Sequence, residues 1–309
     1  MSRTDERLVS ILIPVYNGAT FIEELLESIK SQSYENKELI IMDDCSEDSS
    51  YSICQEWCQS NSGYFSDVRV YRNDVNYGLS KNTEALFREA KGKYLFLADQ
   101  DDIWKPEKIR IQTEYMETRP NCMICLSDRS IADERLNIKA ESEFELNKYS
   151  IKAMNFDEFI KHRRHGCSAN KMCIRNGNLS ILEVPDGIFE QDLFIASMAV
   201  CCGTIDYIYK PLVLYRIHSS NISGNYSIQF AASALDCFLK LYYSKRKAYK
   251  RRYMDINIIR QEMNKRFGIN TDIYNDSRFF ADNREDPAFI DALKLTWSSY
   301  RNKTIGAWR

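Results

Sequence analysis

The chain has 309 residues, enough for one sizeable α/β domain with an appendage or for two domains. Its 44% apolar and 28% charged residues are ordinary for a globular protein, and a formal net charge of −2 gives no global pull toward nucleic acid. No apolar run approaches the roughly 18 to 20 residues that span a bilayer, so a cytoplasmic chain, soluble or peripheral at the inner face of the plasma membrane, is expected.

Ten cysteines are scattered along the chain, several of them in apolar runs (Cys122, Cys125, Cys201, Cys202). No signal peptide precedes them, so reduced thiols are expected rather than disulfides. The Cys54/Cys58 and Cys122/Cys125 spacings lack a second pair to complete a zinc site, and there are only three histidines.

Leu8 to Pro14 is a short, β-branched apolar run, the pattern of a strand buried on both faces. Val15-Tyr16-Asn17-Gly18 breaks it, and Thr20 with Glu23 reads as a capping box opening a helix to about Ser31. A second strand, Glu38 to Met42, ends in Asp43-Asp44-Cys45-Ser46, with a helix starting over Ser46 to Ser49. A third, Val68 to Tyr71, leads into Asn76-Tyr77-Gly78 and a helix from Ser80 to about Ala90. Lys93 to Ala98 is the fourth. Strands alternating with helices predict a mostly parallel sheet with right-handed crossovers. The polar residues after each strand then gather at one sheet edge, where such sheets bind ligands. Neither a Gly-x-Gly-x-x-Gly turn nor a Gly-x-x-x-x-Gly-Lys-Ser/Thr loop is present, so a bound diphosphate must be neutralised by other means.

The fourth strand runs into Asp99-Gln100-Asp101-Asp102-Ile103-Trp104-Lys105-Pro106. Three carboxylates within four positions repel one another, and a divalent cation bound through their oxygens is the expected compensation. The plain alternative is a polar loop whose Asp side chains cap a helix begun by Pro106.

Past Arg119-Pro120 the texture changes. Cys122 to Leu126 reads as a strand, Asp133 to Asn147 as a polar excursion, and Phe156, Phe159 and Ile160 as a short helix before His162 to Ser168. A helix from about Glu190 to Cys201 precedes two strands, Ile205 to Tyr209 and Leu212 to Arg216, on either side of Pro211. From Ile228 to Tyr243, apolar residues recur at helical spacing. Lys240, Lys245, Arg246, Lys247, Lys250, Arg251 and Arg252 follow. That basic run reads as a solvated helix face, as a patch for anionic lipid head groups, or as a partner of the acidic stretch Asp272 to Asp291. A homodimer through Ile228 to Tyr243 is one way to cover its apolar face.

Together these residues resemble the bacterial family 2 glycosyltransferases, over roughly residues 8 to 225. Ser10 to Asn17 is similar to that family's opening strand and base-binding loop, and Asp43-Asp44 to the end of its second strand, whose second Asp meets the pyrimidine. Asn76-Tyr77-Gly78 resembles its ribose-side loop, although the Arg often found soon after is absent here, where Lys81, Asn82 and Thr83 stand. Asp99-Gln100-Asp101 resembles the Asp-x-Asp metal motif. Asp-Gln-Asp-Asp-Ile-Trp, Gly166-Cys167-Ser168 and Tyr215-Arg216-x-His218 are similar to a rhamnosyltransferase-like subset that makes surface polysaccharides or glycoproteins.

The resemblance implies a GT-A fold, α/β and Rossmann-like, over residues 1–225, with a nucleotide half at 1–120 and an acceptor half at 121–225. Residues 226–309 are then a helical C-terminal extension. It implies inverting, Mn²⁺- or Mg²⁺-dependent transfer from a nucleoside diphosphate sugar, UDP- or dTDP-linked, such as dTDP-rhamnose or a UDP-hexose. The acceptor would be a hydroxyl of a glycan, a lipid-linked glycan or a glycoprotein. Pro14, Tyr16, Asn17, Asp44, Asn76, Lys81, Asn82 and Asp99 are the expected nucleotide contacts, with Asp101, Asp99 and His218 as metal ligands and Arg216 and His218 against the diphosphate. Asp192, opening a helix in the acceptor half, is the expected general base, with Asp186 and Glu190 as reserves.

Two other functions fit parts of this pattern. A non-catalytic nucleotide- or glycan-binding partner of another transferase would keep the fold, but three intact carboxylates argue against it. A nucleotidyltransferase would want a Gly-rich, basic loop after the first strand, which Val15-Tyr16-Asn17-Gly18-Ala19 does not supply.

Overall fold

A computed structural model describes residues 7–149, 153–161, 166–177, 182–188, 190–219, 221 and 255–269. The chain divides into two units, one of Met1–Asp186 with Gln191–Ile217 and one of Gly187–Glu190 with His218–Arg309.

The first unit begins β1 (Val9–Val15), α1 (Ile22–Lys30), β2 (Lys37–Asp43), α2 (Ser50–Asn61), β3 (Asp67–Arg72), α3 (Leu79–Glu89), β4 (Tyr94–Leu97). These four strands are parallel, in the order β3-β2-β1-β4. β2 and β4 are buried at every residue and β1 at all but Pro14, which is why they read as continuous apolar runs. α1 packs a stripe of Ile22, Leu25, Leu26 and Ile29 toward the sheet. Each such side chain contributes roughly 1.5–3 kcal/mol of burial free energy. The core continues through Ile11, Ile13, Leu39, Ile41, Phe96 and Trp104.

The unit continues β5 (Ile103–Trp104), α4 (Lys108–Glu117), β6 (Cys122–Asp133), β7 (Ile138–Ala140), α5 (Glu143–Leu146), β8 (Ala153–Met154), α6 (Phe156–Lys161), β9 (Met172–Arg175), α7 (Gln191–Ala199), β10 (Thr204–Ile217). The sheet extends from β4 through β9, β6 and β10 to β5. Because β9 is antiparallel to both β4 and β6, β6 runs in the direction of β4, and β10 is parallel to β6. The carboxyl ends of β1 to β4, β6 and β10 therefore face one edge, and the site is built there.

The structure corrects several local expectations. The sheet is mostly parallel as expected, through β1 to β4 and through β6 with β10, but beyond β4 it also takes in the short antiparallel strands β9, β5, β7 and β8. Thr20 and Glu23 form no capping box: α1 starts at Ile22, and the Gly18 carbonyl accepts from both Phe21 and Ile22 N–H. α2 starts at Ser50, because residues 46–48 form a loop tied to the turn after β1. Pro106 does not open a helix; α4 starts at Lys108, and the Pro106 carbonyl accepts from Ser33 N–H at 2.8 Å. The excursion at 133–147 carries β7 and α5. Pro211 lies inside one long strand, where a bulge absorbs its missing N–H.

In the second unit residues 255–267 are helical (α8), and the carboxylate of the buried Asp255 accepts from Glu190 N–H at 2.7 Å. The predicted helix at 228–243, the basic run at 240–252, the acidic stretch at 272–291 and His162 to His165 lie outside the described residues. Among the described residues, no helix is long and apolar enough to cross a membrane.

Candidate active site

The turn after β1 is held by side chains from neighbouring loops. Asn17 N–H donates to Ser46 Oγ (3.0 Å), Gly18 N–H to Ser50 Oγ (2.7 Å) and Ala19 N–H to Asp48 Oδ2 (3.0 Å). Asn17 Oδ1 accepts from Glu47 N–H at 2.8 Å, and Asn17 itself adopts a left-handed φ of 49°. In this turn Tyr16 is 44% exposed, while Pro14, in β1, is half-buried.

Asp44, 2% exposed after β2, organises the loop after β3. Its Oδ1 accepts from Asn73 Nδ2 (2.7 Å) and Tyr77 N–H (2.9 Å), and its Oδ2 from Gly78 N–H (2.7 Å). Gly78 has φ 83°, a backbone that favours glycine, while Asn76 is exposed and caps the Gly78 N–H at 3.0 Å. Asn82 is buried, donating to the Met42 carbonyl at 2.8 Å and accepting from Asn73 at 3.0 Å, so its amide braces the loop. Exposed Lys81 pairs with Glu84 (3.3 Å) and with Asp186 (2.9 Å).

The acidic turn follows β4. Asp99 and Asp101 are half-buried and Asp102 is fully buried. Asp102 accepts from Asn170 Nδ2 and, at 3.2 Å, from Arg216 N–H, so it anchors the turn and caps no helix. The Arg216 guanidinium reaches the Asp101 carbonyl (2.9 Å), the Glu134 carbonyl (2.9 Å) and Glu24 (2.8 Å), and lies over the Phe21 ring. Those contacts make it a brace for the acidic turn.

Asp192, in the first turn of α7, stands close enough to Asp99 to act on its charge. Burial holds the Asp99 carboxyl above the usual carboxylate range, reinforced by Asp101 and Asp192 and opposed by Arg129. Asp102 is raised for the same first reason, then by Asp99 and Asp101. His218 and Glu190 belong to the second unit, where His218 N–H donates to Asn221 Oδ1 at 2.6 Å.

Behind the turn lies a polar cluster that the sequence reading did not single out. Arg129, on β6, forms a two-pronged pair with Glu143 (3.1 and 2.8 Å) and stacks on Tyr215 at 3.9 Å. It also reaches Ser168 Oγ (3.3 Å) and Asn170 Oδ1 (3.4 Å), the residue that holds Asp102. Lys171 adds a 2.6 Å pair to Glu143. The available signal was Asp128-Arg129 inside an apolar strand, where a charge demands a partner.

Among the described residues, no three His, Cys, Asp or Glu side chains stand at metal-binding separation. The donor set nevertheless fits Mg²⁺ or Mn²⁺, which take one or two protein carboxylates and complete their shell with water and substrate phosphates. Asp99 and Asp101 are hard oxygen donors, and the charges of Asp101 and Asp192 add to the burial that raises the Asp99 carboxyl, with Arg129 opposing.

A parallel α/β sheet with recognition loops and paired carboxylates at its carboxyl edge defines a GT-A type of transferase fold. Residues 10–175 match the family model described as Glycosyl transferase family 2, and the chain belongs to that family. It is 27% identical over 221 residues to the Bacillus subtilis protein named putative teichuronic acid biosynthesis glycosyltransferase TuaG, covering 71% of this chain and 82% of that one. It is 26% identical to Escherichia coli WfaP, named a UDP-Glc:α-D-GlcNAc-diphosphoundecaprenol β-1,3-glucosyltransferase, over 71% of this chain and 80% of that one. Other relatives are matched over less of their length, 26% in two rickettsial glycosyltransferases. The mannosyltransferase PcManGT of Pyrobaculum calidifontis, solved with GDP-Man and Mn²⁺, superposes with a TM-score of 0.57 at 15% identity, covering 99% of this chain and 82% of that one. At that identity the likeness is one of fold. The chain is a glycosyltransferase.

Proposed function

We propose that this glycosyltransferase moves a sugar, with inversion, from a nucleoside diphosphate sugar to a hydroxyl of a growing surface glycan, free, lipid-linked or on a glycoprotein. The observation that carries the reading is that the Asp192 charge acts on the Asp99 carboxyl, 93 positions away in sequence. The sugar would lie between them.

Tyr16, Asn17 and the loop shaped by Asp44 would receive the base, and Asn76 and Lys81 the ribose side. Lys81 would exchange its exposed partner Asp186 for the nucleotide. Asp101 and Asp99 would hold Mg²⁺ or Mn²⁺. When bound, that ion offsets the negative charge gathering on the departing diphosphate. Asp192 takes the proton from the acceptor hydroxyl as its oxygen attacks the anomeric carbon opposite the leaving group, and the configuration inverts. Arg216 would act on the diphosphate indirectly, by fixing the Asp101 backbone.

A UDP- or dTDP-linked donor is favoured by the second-strand Asp44, the position that the family resemblance assigns to a pyrimidine. WfaP, a relative of similar length, carries UDP-Glc in its name. The test is incubation with UDP-, dTDP- and GDP-sugars, Mn²⁺ and a lipid-linked glycan acceptor. Release of nucleoside diphosphate with product of inverted anomeric configuration is expected; pyrophosphate release, or binding without turnover for every donor, would overturn it.

A further inference from the structure

Gln100, the middle residue of Asp99-Gln100-Asp101, makes two hydrogen bonds to a single residue of the turn after β1. Its Oε1 accepts from Tyr16 N–H at 2.9 Å and its Nε2 donates to the Tyr16 carbonyl at 3.0 Å. The side-chain amide thus occupies Tyr16 as a neighbouring strand would, using both its donor and its acceptor. The backbone is shaped around it: a Cβ on Gly18 would stand 2.5 Å from Gln100 Cδ, closer than real Cβ contacts come. Other polar groups of this turn bond to Ser46, Glu47, Asp48 and Ser50. Gln100 therefore ties this turn to the acidic turn, and Gly18 leaves the room for it.

We propose that Gln100 is a positioning residue, which locks the turn bearing Tyr16 to the turn bearing Asp99 and Asp101 so that the two ends of a nucleoside diphosphate meet one rigid surface. This rests on the donor-site reading above. Asn is one methylene too short to make both bonds. Glu keeps the length but loses the N–H donor and adds a fourth carboxylate to the turn. Without the tie, the Tyr16 turn must be ordered when the donor binds, and that ordering is subtracted from affinity. The chemistry at Asp192 is untouched once the donor is seated.

The experiment is calorimetric titration of UDP, dTDP and GDP, each with Mn²⁺, into the full chain as wild type, Gln100→Ala, Gln100→Glu, Gly18→Ala and the Gln100→Ala/Gly18→Ala double variant. Thermal melts confirm that each is folded. Each single variant is expected to bind the nucleotide that wild type prefers about ten-fold more weakly, a loss on the scale of one or two hydrogen bonds. The double variant is expected to bind no more weakly than the weaker single, because the methyl added by Gly18→Ala collides with an amide that is then absent. In turnover, donor KM should rise with kcat nearly unchanged. Single variants that bind like wild type, or a double variant whose losses simply add, would overturn the positioning role. A wild type that binds none of the three nucleotides would instead overturn the donor-site reading beneath it.

Discussion

Replacing Glu143 with Gln tests the cluster behind the site. The substitution keeps the side chain's shape and removes its charge, leaving Arg129 and Lys171, with side chains 12% and 1% exposed, without their shared carboxylate. Burial alone would push the Glu143 carboxyl up, but Lys171 and Arg129 outweigh it and hold it down at about 2, from an ordinary 4.5. The Lys171 ammonium is itself pulled below its ordinary range, because burial and Arg129 cost it more than Glu143 returns. The contribution lost in acid is that of the depressed Glu143 carboxyl. A shift of that size corresponds to about 3 kcal/mol, the low end of the roughly 3–5 kcal/mol for breaking a buried ion pair. Lys171 can relieve part of the loss in the variant by releasing its proton. In a unit of this size the melting temperature should fall on the order of 6–12 °C. Because the folded pKa is depressed, the contribution is complete above about pH 4.5 and disappears as pH falls toward about 2. Urea unfolding of both proteins at neutral pH and at successive acid steps should show the gap narrowing as pH drops. A gap below about 0.5 kcal/mol at neutral pH, or one that widens in acid, would refute the reasoning.

Lys108 is fully buried, its ammonium 4.9 Å from the Trp104 ring centroid and 2.7 Å from Gln112 Oε1, and burial pulls its pKa down to about 7. Between about pH 7 and 10 the unfolded chain holds a proton that the folded chain lacks, so this residue makes wild-type stability rise with pH. Lys108→Met should gain on wild type more at neutral than at alkaline pH in urea midpoints; an equal difference at both would contradict the assignment. At Gly203 a Cβ would meet the Asn121 carbonyl and stand 2.9 Å from Met123 Cγ, so Gly203→Ala should cost about 1–3 kcal/mol in the same assay. An unchanged midpoint would mean that this approach relaxes freely.

The nucleotide half was legible because its strands are buried on both faces and its loops are short. The Val9–Val15 and Lys37–Asp43 runs announce themselves as strands, and the polar residues that end them must then share one edge. Beyond β4 the signal weakened, because the order of β9, β6 and β10 is set by pairing between distant segments. Local periodicity carries no trace of such pairing. The excursion after Asp133 looked like loop because Glu143 is polar, yet it is 14% exposed and needed by Arg129. The acidic motif was visible as composition, with Asp102 set apart from the Asp99 and Asp101 pair, but the partner of each side chain was not. Asp102 anchors the turn through Asn170 and Arg216, and Gln100 faces the turn after β1. These roles depend on which neighbour each side chain meets across the edge. Arg216 illustrates the same limit: its placement after a strand suggested a ligand contact, and its guanidinium braces Asp101 and Glu24.

The proposed transfer depends on Asp192 acting across the site from Asp99 and Asp101. Asp192→Asn preserves size and the hydrogen bond from Leu193 N–H while removing the base. With whichever nucleotide sugar the wild type turns over, the decisive measurement is single-turnover transfer by this variant beside its donor affinity by calorimetry. Transfer is expected to fall by at least about 100-fold, the scale of a lost general base, with donor affinity within a few-fold of wild type. Transfer at near wild-type rate would contradict that role for Asp192.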